Sequence, residues 1–268
     1  MREFGPTPKE MGLRAEDIRT SAQKSGEFGD NVKSEKKIFA TIERLPQRPI
    51  VLHGTSLDRV EQIIQEGVTE ERSSYFIFDP RDFDQENSKD TLVALKNSLR
   101  YTARWARQRA LTLNSQVFEA AGHKWENVLS DPEHAPALIV ALPEDTSLKG
   151  RLFKDRHFAY GDVKTEGPIN KNEIRQVIKL DEEDIPEINR YLTDAFLRVG
   201  KGRNEAAIRR WGIKNGQDPD EAVARFRGDP LSGPLLTSGS EGFNMMNSAL
   251  EKALVAKAYK FFEHYNQQ

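Results

Sequence analysis

The densest alternation of apolar and polar positions begins after Pro46 and Pro49. Ile50 to His53 is an apolar run and predicts a strand, which ends in the polar corner His53-Gly54-Thr55-Ser56. Val60, Ile63, Ile64 and Val68 then recur at helical spacing, and Gly67 closes that helix. Thr55 or Ser56 is placed to cap it, and Asp58 in its first turn suits the helix dipole. Tyr75 to Phe78 predicts a second short strand, ended by Asp79-Pro80. Residues 81–90 are polar and acidic and read as a loop. From Thr91 to Leu113 the positions Leu92, Leu95, Leu99, Ala103, Ala106 and Ala110 mark a long helix. Ala137 to Leu142 is a strand of the fully buried type, stopped by Pro143. His157 to Lys164 alternates and predicts a strand. Ile174 to Leu180 predicts another, after a Gly167-Pro168 turn, with an acidic corner at Asp181 to Asp184.

The flanks are patterned differently. Residues 1–46 are rich in Lys, Glu, Ser and Gly and lack a strong apolar stripe, so they read as an N-terminal extension, partly helical or disordered. From Pro186 the pattern is helical, clearest at Ile188 to Val199 and Met245 to Phe262, with a Gly-, Pro- and Ser-rich link from Gly228 to Gly242. The expected organisation is an extension (1–46), a core (47–185) and a helical C-terminal region (186–268). Strands and helices do not alternate regularly, so the class is α+β rather than doubly wound.

Composition narrows the function. Apolar content is 37% and charged content 31%, polar for one globule of 268 residues. The net charge of −2 gives no global attraction to nucleic acid or anionic membrane, and nucleic acid is disfavoured as a partner. Without cysteine there is no disulfide, thiolate zinc site or cysteine nucleophile. The N-terminus lacks the apolar segment of a Sec signal, and no run reaches membrane-spanning length. The histidines at 123, 134, 157 and 264 show no metal-ligand spacing, so no metal is expected. Lys96, Arg100, Arg104 and Arg107 form a basic helix face that reads by default as solvated.

The corner at position 53 carries the most chemistry. A histidine where a strand hands over to a helix can point into a cleft, and a glycine beside it lets a ligand approach the backbone. Four segments, in order, make residues 48–182 resemble the ADP-ribosyltransferase superfamily, in its diphtheria-toxin and poly(ADP-ribose)-polymerase-like branch. They are Leu52 to Ser56 running on to Ile63-Ile64-Gln65-Glu66-Gly67, then Tyr75 to Phe78. The third is Leu95 to Gln108, with Tyr101, Ala103, Trp105 and Ala106. The fourth is Asp162 to Ile169, continuing to Ile174 and Val177-Ile178. The resemblance implies a split-sheet core that uses NAD as a substrate and needs no metal. It implies that His53 bonds the adenosine ribose, that the Gly54 backbone holds the nicotinamide amide and that Tyr75 stacks on the nicotinamide ring. Thr55 and Tyr101 would flank the dinucleotide. Asp162 stands where the family has Glu and would hold the ribose hydroxyl. Glu166, four residues on and on the same strand face, is the alternative acid.

The function so implied is mono-ADP-ribosylation of a macromolecule, expected to be a protein, with no membrane partner. The site of action would be the cytoplasm of the producing cell, or a host or rival cell reached as an effector or toxin by a non-Sec route. Two other readings stay open: a non-catalytic NAD- or ADP-ribose-binding module on this fold, and an NAD-dependent RNA 2′-phosphotransferase using Arg72, Arg81 and Arg100.

Overall fold

The computed structural model describes residues 45–68, 76–78, 88–143, 152–154, 163–165, 169–198, 203–232 and 240–265. Six strands lie among them: β1 (Ile50–Ser56), β2 (Phe76–Phe78), β3 (Pro136–Ala141), β4 (Leu152–Lys154), β5 (Val163–Thr165) and β6 (Ile174–Lys179). The helices are α1 (Val60–Glu66), α2 (Ser88–Arg109), α3 (Ser115–Ala120), α4 (Trp125–Ser130), α5 (Ile185–Arg198), α6 (Arg203–Lys214), α7 (Pro219–Gly228) and α8 (Ser240–His264). The protein is therefore α+β. The main sheet is antiparallel, ordered β2-β1-β3-β6, and β4 pairs with β5 separately.

Both faces of the central strands are covered, so β1 and β3 are buried along their whole length. That explains the near-continuous apolar spelling of β3 and of Ile50 to Leu52 in β1, which in a one-sided sheet would alternate. Ile50, Leu52, Leu138 and Val140 join the larger core, with α2, α5, α7 and α8. Val51, Ile77, Ala137 and Ile139 join a smaller core on the other face, with Val60 and Ile63 of α1. In β6 the register against β3 shifts between Val140 and Ala141. This bulge turns Ile174 to the same face as Val177, whereas Ile178 enters the larger core.

β1 runs on to Ser56, past the corner expected at His53, because β3 pairs with it as far as Ser56↔Pro136. The turn that follows is a short 3-10 segment, Leu57–Arg59, and the Ser56 side chain makes no capping bond. Ile64, expected on the apolar face of α1, is 49% exposed. Gly67 does close α1, at φ +83°, where its α-hydrogen faces the Ile169 carbonyl across the Val68↔Ile169 bridge.

α2 begins at Ser88, inside the segment read as loop, and ends at Arg109 rather than Leu113. Its buried stripe (Leu95, Ser98, Leu99, Thr102, Ala103, Ala106) is rich in small residues and lets the helix lie close on β1. The chain breaks after Arg109 because Leu111 (φ +48°) and Leu113 (φ +45°) are left-handed, at a cost of about 1–2 kcal/mol each for residues with a Cβ. The corner is fastened in compensation. The Thr112 hydroxyl lies within bonding distance of the Arg107 and His134 carbonyls (3.3 and 3.1 Å), and Asn247 Nδ2 donates to the Leu113 carbonyl (3.1 Å). The short helices α3 and α4 follow this corner; neither has enough apolar repeats to be read from the sequence.

α8 is buried on several sides, with Met246, Leu250, Leu254, Ala258 and Phe262 all covered. It is also tied by charge. Arg107 of α2 pairs with Glu251 at 2.5 Å, so this member of the expected solvated face is in fact an inter-helix anchor. Lys257 reaches Asp181 (2.7 Å) and Asp184 (2.6 Å), which also cap the 3-10 turn between β6 and α5. Burial works to lower the Lys257 pKa, but its bonds to the two carboxylates outweigh that and raise it. The hydrogen bond from Lys257 holds Asp181 below its usual value, against partial burial. A depressed Asp contributes stability above its unfolded value of about 4 and loses it as pH falls through the folded value. A raised Lys contributes below about 10.4 and loses it as pH climbs through the folded value. The difference in melting temperature between wild type and Lys257→Met is thus expected to be level from about pH 5 to about pH 9 and to shrink on both sides. Equal differences at about pH 2 and about pH 7 would exclude this coupling.

Candidate functional site

His53 lies mid-strand on the face shared with Val51 and Thr55, opposite Ile139 of β3. It is 2% exposed. The open corner expected from the sequence is therefore a covered position, because β1 does not stop there. Arg109, at the end of α2, brings Nη1 to 3.2 Å from His53 Nε2. A guanidinium has only donors, so Nε2 accepts and the ring carries its proton on Nδ1. No sequence pattern singled out Arg109; the fold alone carries it to the histidine.

Gly54 has a different reason from the one expected. A Cβ at this position would fall 2.3 Å from the Thr102 carbonyl oxygen and 2.6 Å from the Ala106 nitrogen. The space beside the glycine is filled by the α2 backbone, and close packing of helix on strand requires the missing side chain. Thr55 is fully buried, and its hydroxyl has no hydrogen-bond partner among the described residues. A buried unpaired hydroxyl is costly, so this oxygen is unspent hydrogen-bonding capacity beside His53.

The pairing of β1 with β2 ends at Leu52↔Phe76, one residue short of His53. Tyr75 is the residue before Phe76 and lies outside the described residues. Tyr101 of α2 stacks on Phe76, with ring centroids 5.9 Å apart and planes 16° from parallel. β5 runs beside β2. Asp162 and Glu166 flank β5 in sequence, and both lie outside the described residues, as does most of the strand expected from His157. The strand bearing His53, the strand after Tyr75 and the strand between the two acids are thus neighbours in that order, and Tyr101 leans on the middle one.

Among the described residues no group of three or more acidic or histidine side chains is arranged to hold a metal. No helix among them is long and apolar enough to cross a membrane. No protein-family model, curated protein or solved structure matches the chain.

Proposed function

We propose that this protein is an NAD-dependent mono-ADP-ribosyltransferase with a split-sheet ADP-ribosyltransferase-like core, acting on a macromolecular target, expected to be a protein. The observation that carries the reading is the adjacency of β1, β2 and β5, the three strands that bear or adjoin His53, Tyr75 and the acids Asp162 and Glu166.

In the reaction, the bond between ribose C1′ and the nicotinamide nitrogen breaks, and its electron pair leaves with nicotinamide. The ribose passes through an oxocarbenium-like state, as in glycoside cleavage. A nucleophile of the target then bonds to C1′ and gives up its proton to a base or water. His53, held by Arg109 at Nε2, carries its proton on Nδ1 and would meet the adenosine ribose. The Thr55 hydroxyl supplies a further polar contact on the same strand face. Asp162, or Glu166, would hold the ribose hydroxyl and stabilise the cationic sugar.

Incubation of the full chain with labelled NAD and candidate lysates is expected to release nicotinamide and label a macromolecule. Asp162→Asn should lower the rate by about 100-fold or more, on the scale of losing one transition-state partner, with the melting temperature unchanged. If Glu166→Gln has that effect instead, Glu166 is the acid. Loss in neither variant, or no NAD cleavage by the wild type when NAD is bound, refutes the proposal.

A second reading is a non-catalytic NAD- or ADP-ribose-binding module on the same fold. It is favoured by the burial of His53 and by aspartate in the place of the family's glutamate. Binding of NAD by calorimetry without turnover would select it.

A further inference from the structure

A cavity of ≈ 170 Å³ lies between α3 and α4, apart from β1, β2 and β5. Val117, Ala121 and Val128 form apolar walls, and Asn127, Asp131 and His134 supply its polar side chains. The hydrogen bonds around it decide what those three can offer. His134 Nδ1 is 3.1 Å from the Ala110 carbonyl, which can only accept. Nδ1 is therefore the donor, and in the neutral ring Nε2 keeps its lone pair. Asn127 Nδ2 donates to the Ala121 carbonyl at 2.8 Å, which leaves Oδ1 as an acceptor. Asp131 Oδ1 accepts from the Glu133 backbone, so Oδ2 remains.

The nearby main-chain donors are spent. The N–H groups of Ala121, Gly122, Val128, His134 and Ala135 all bond within the local turns and helices. The three polar side chains that line the cavity thus retain three acceptor atoms, one of them anionic, beside its apolar residues. An anion would meet lone pairs only, and an alcohol has a single donor. An alkylammonium has three N–H donors and a positive charge, matching the set in number and sign, and an apolar tail for the apolar walls.

The setting of His134 is also deliberate. Its ring is held by the Ala110 carbonyl and its own carbonyl by the Thr112 hydroxyl. Both come from the corner in which Leu111 and Leu113 are left-handed. That strained corner holds the imidazole at Nδ1 and the His134 backbone at its carbonyl, and strain of this kind gathers at functional sites.

We propose that this cavity binds an alkylammonium group, with Asp131 Oδ2, His134 Nε2 and Asn127 Oδ1 as its acceptors. The group is either a free aliphatic amine or the end of a lysine side chain. The proposal is independent of the NAD reading.

Calorimetric titration of the full chain tests it, with n-butylamine and Nα-acetyl-lysine amide as the two sources, and n-butanol and butyrate as neutral and anionic counterparts. At least one ammonium compound is expected to bind saturably, and the alcohol and the acid are not. Binding of the lysine derivative alone assigns the site to a protein lysine; binding of butylamine assigns it to free amines as well. Asp131 is exposed, so Asp131→Asn keeps the fold and the Glu133 contact while removing the charge. It should weaken binding by about tenfold, the scale of one charge-assisted hydrogen bond. Equal binding of butanol, unchanged affinity in Asp131→Asn, or no binding of either ammonium compound would overturn the proposal.

Discussion

Gly54→Ala should leave little folded protein, or lower the melting temperature by at least about 6–12 °C. The added Cβ would stand 2.3 Å from the Thr102 oxygen and 2.6 Å from the Ala106 nitrogen. Both are backbone atoms of a 22-residue helix, so no rotamer change relieves the contact. Either α2 lifts off β1, or β1 bends away from β3, and each opens the larger core at Leu52 and Leu99. Overpacking with a methylene typically costs about 1–3 kcal/mol where side chains can yield; here only backbone can, and about 3 kcal/mol or more is expected. For a chain of this size that corresponds to the shift given. Gly228→Ala is the control. A Cβ there meets nothing within 4 Å, and a change within about 0.5 kcal/mol is expected. Thermal melts by circular dichroism decide it; a Gly54→Ala protein as stable as Gly228→Ala would mean that α2 does not lie against β1 as described. The result also bears on function, since activity lost in this variant reports folding and says nothing about NAD.

The second large effect is at Trp125. This side chain is 2% exposed and lies 6.4 Å from the Phe118 ring, centroid to centroid. Its Nε1 donates to Asn189 Oδ1 at 2.9 Å, and Asn189 Nδ2 in turn donates to the Gly228 carbonyl at 3.3 Å. One indole therefore joins α4, α5 and the end of α7. Trp125→Ala removes the ring and leaves a cavity, at about 3–5 kcal/mol. It also strands the Asn189 oxygen, which adds about 1–3 kcal/mol unless water reaches it. Trp125→Phe keeps most of the volume and isolates the second component, so it should cost about 1–3 kcal/mol. Urea unfolding of the three proteins separates the contributions. A midpoint for Trp125→Ala within error of wild type would show that α4 is not anchored through this residue.

Several elements were legible from side-chain spacing alone. β3 could be read from its apolar run stopped by Pro143, β6 from Ile174 to Leu180 after the Gly167-Pro168 turn, and α8 from its long apolar repeat. Gly67 was legible because a helix end with a bridge behind it needs a left-handed residue without a side chain. The ends of α2 were not. Leu111 and Leu113 continue the apolar repeat in sequence, and only the bonds from Thr112 and Asn247 show why the helix stops before them. The short helices α3 and α4 escaped for a related reason. Each is a single-sided cover whose apolar residues, Phe118 and Trp125, make sense only against partners far along the chain.

For the candidate site, the residue types were visible and their surroundings were not. The pattern around His53 and Gly54 pointed to one segment, but it cannot tell a glycine that admits a ligand from one that admits a helix. In the folded protein the α2 backbone occupies that space, and Arg109, 56 positions away, reaches the imidazole. Arg107 reads as one more solvated cation until Glu251, 144 positions away, is brought beside it. What the chain determined by itself is local: where the long helices and the buried strands lie, and most of the face each of them buries, because those depend on spacing along the backbone. Which polar group meets which, and whether a small residue faces a cavity or a neighbour, was decided by the tertiary structure, because hydrogen bonds and close contacts join atoms whose separation along the chain carries no trace of their distance in space.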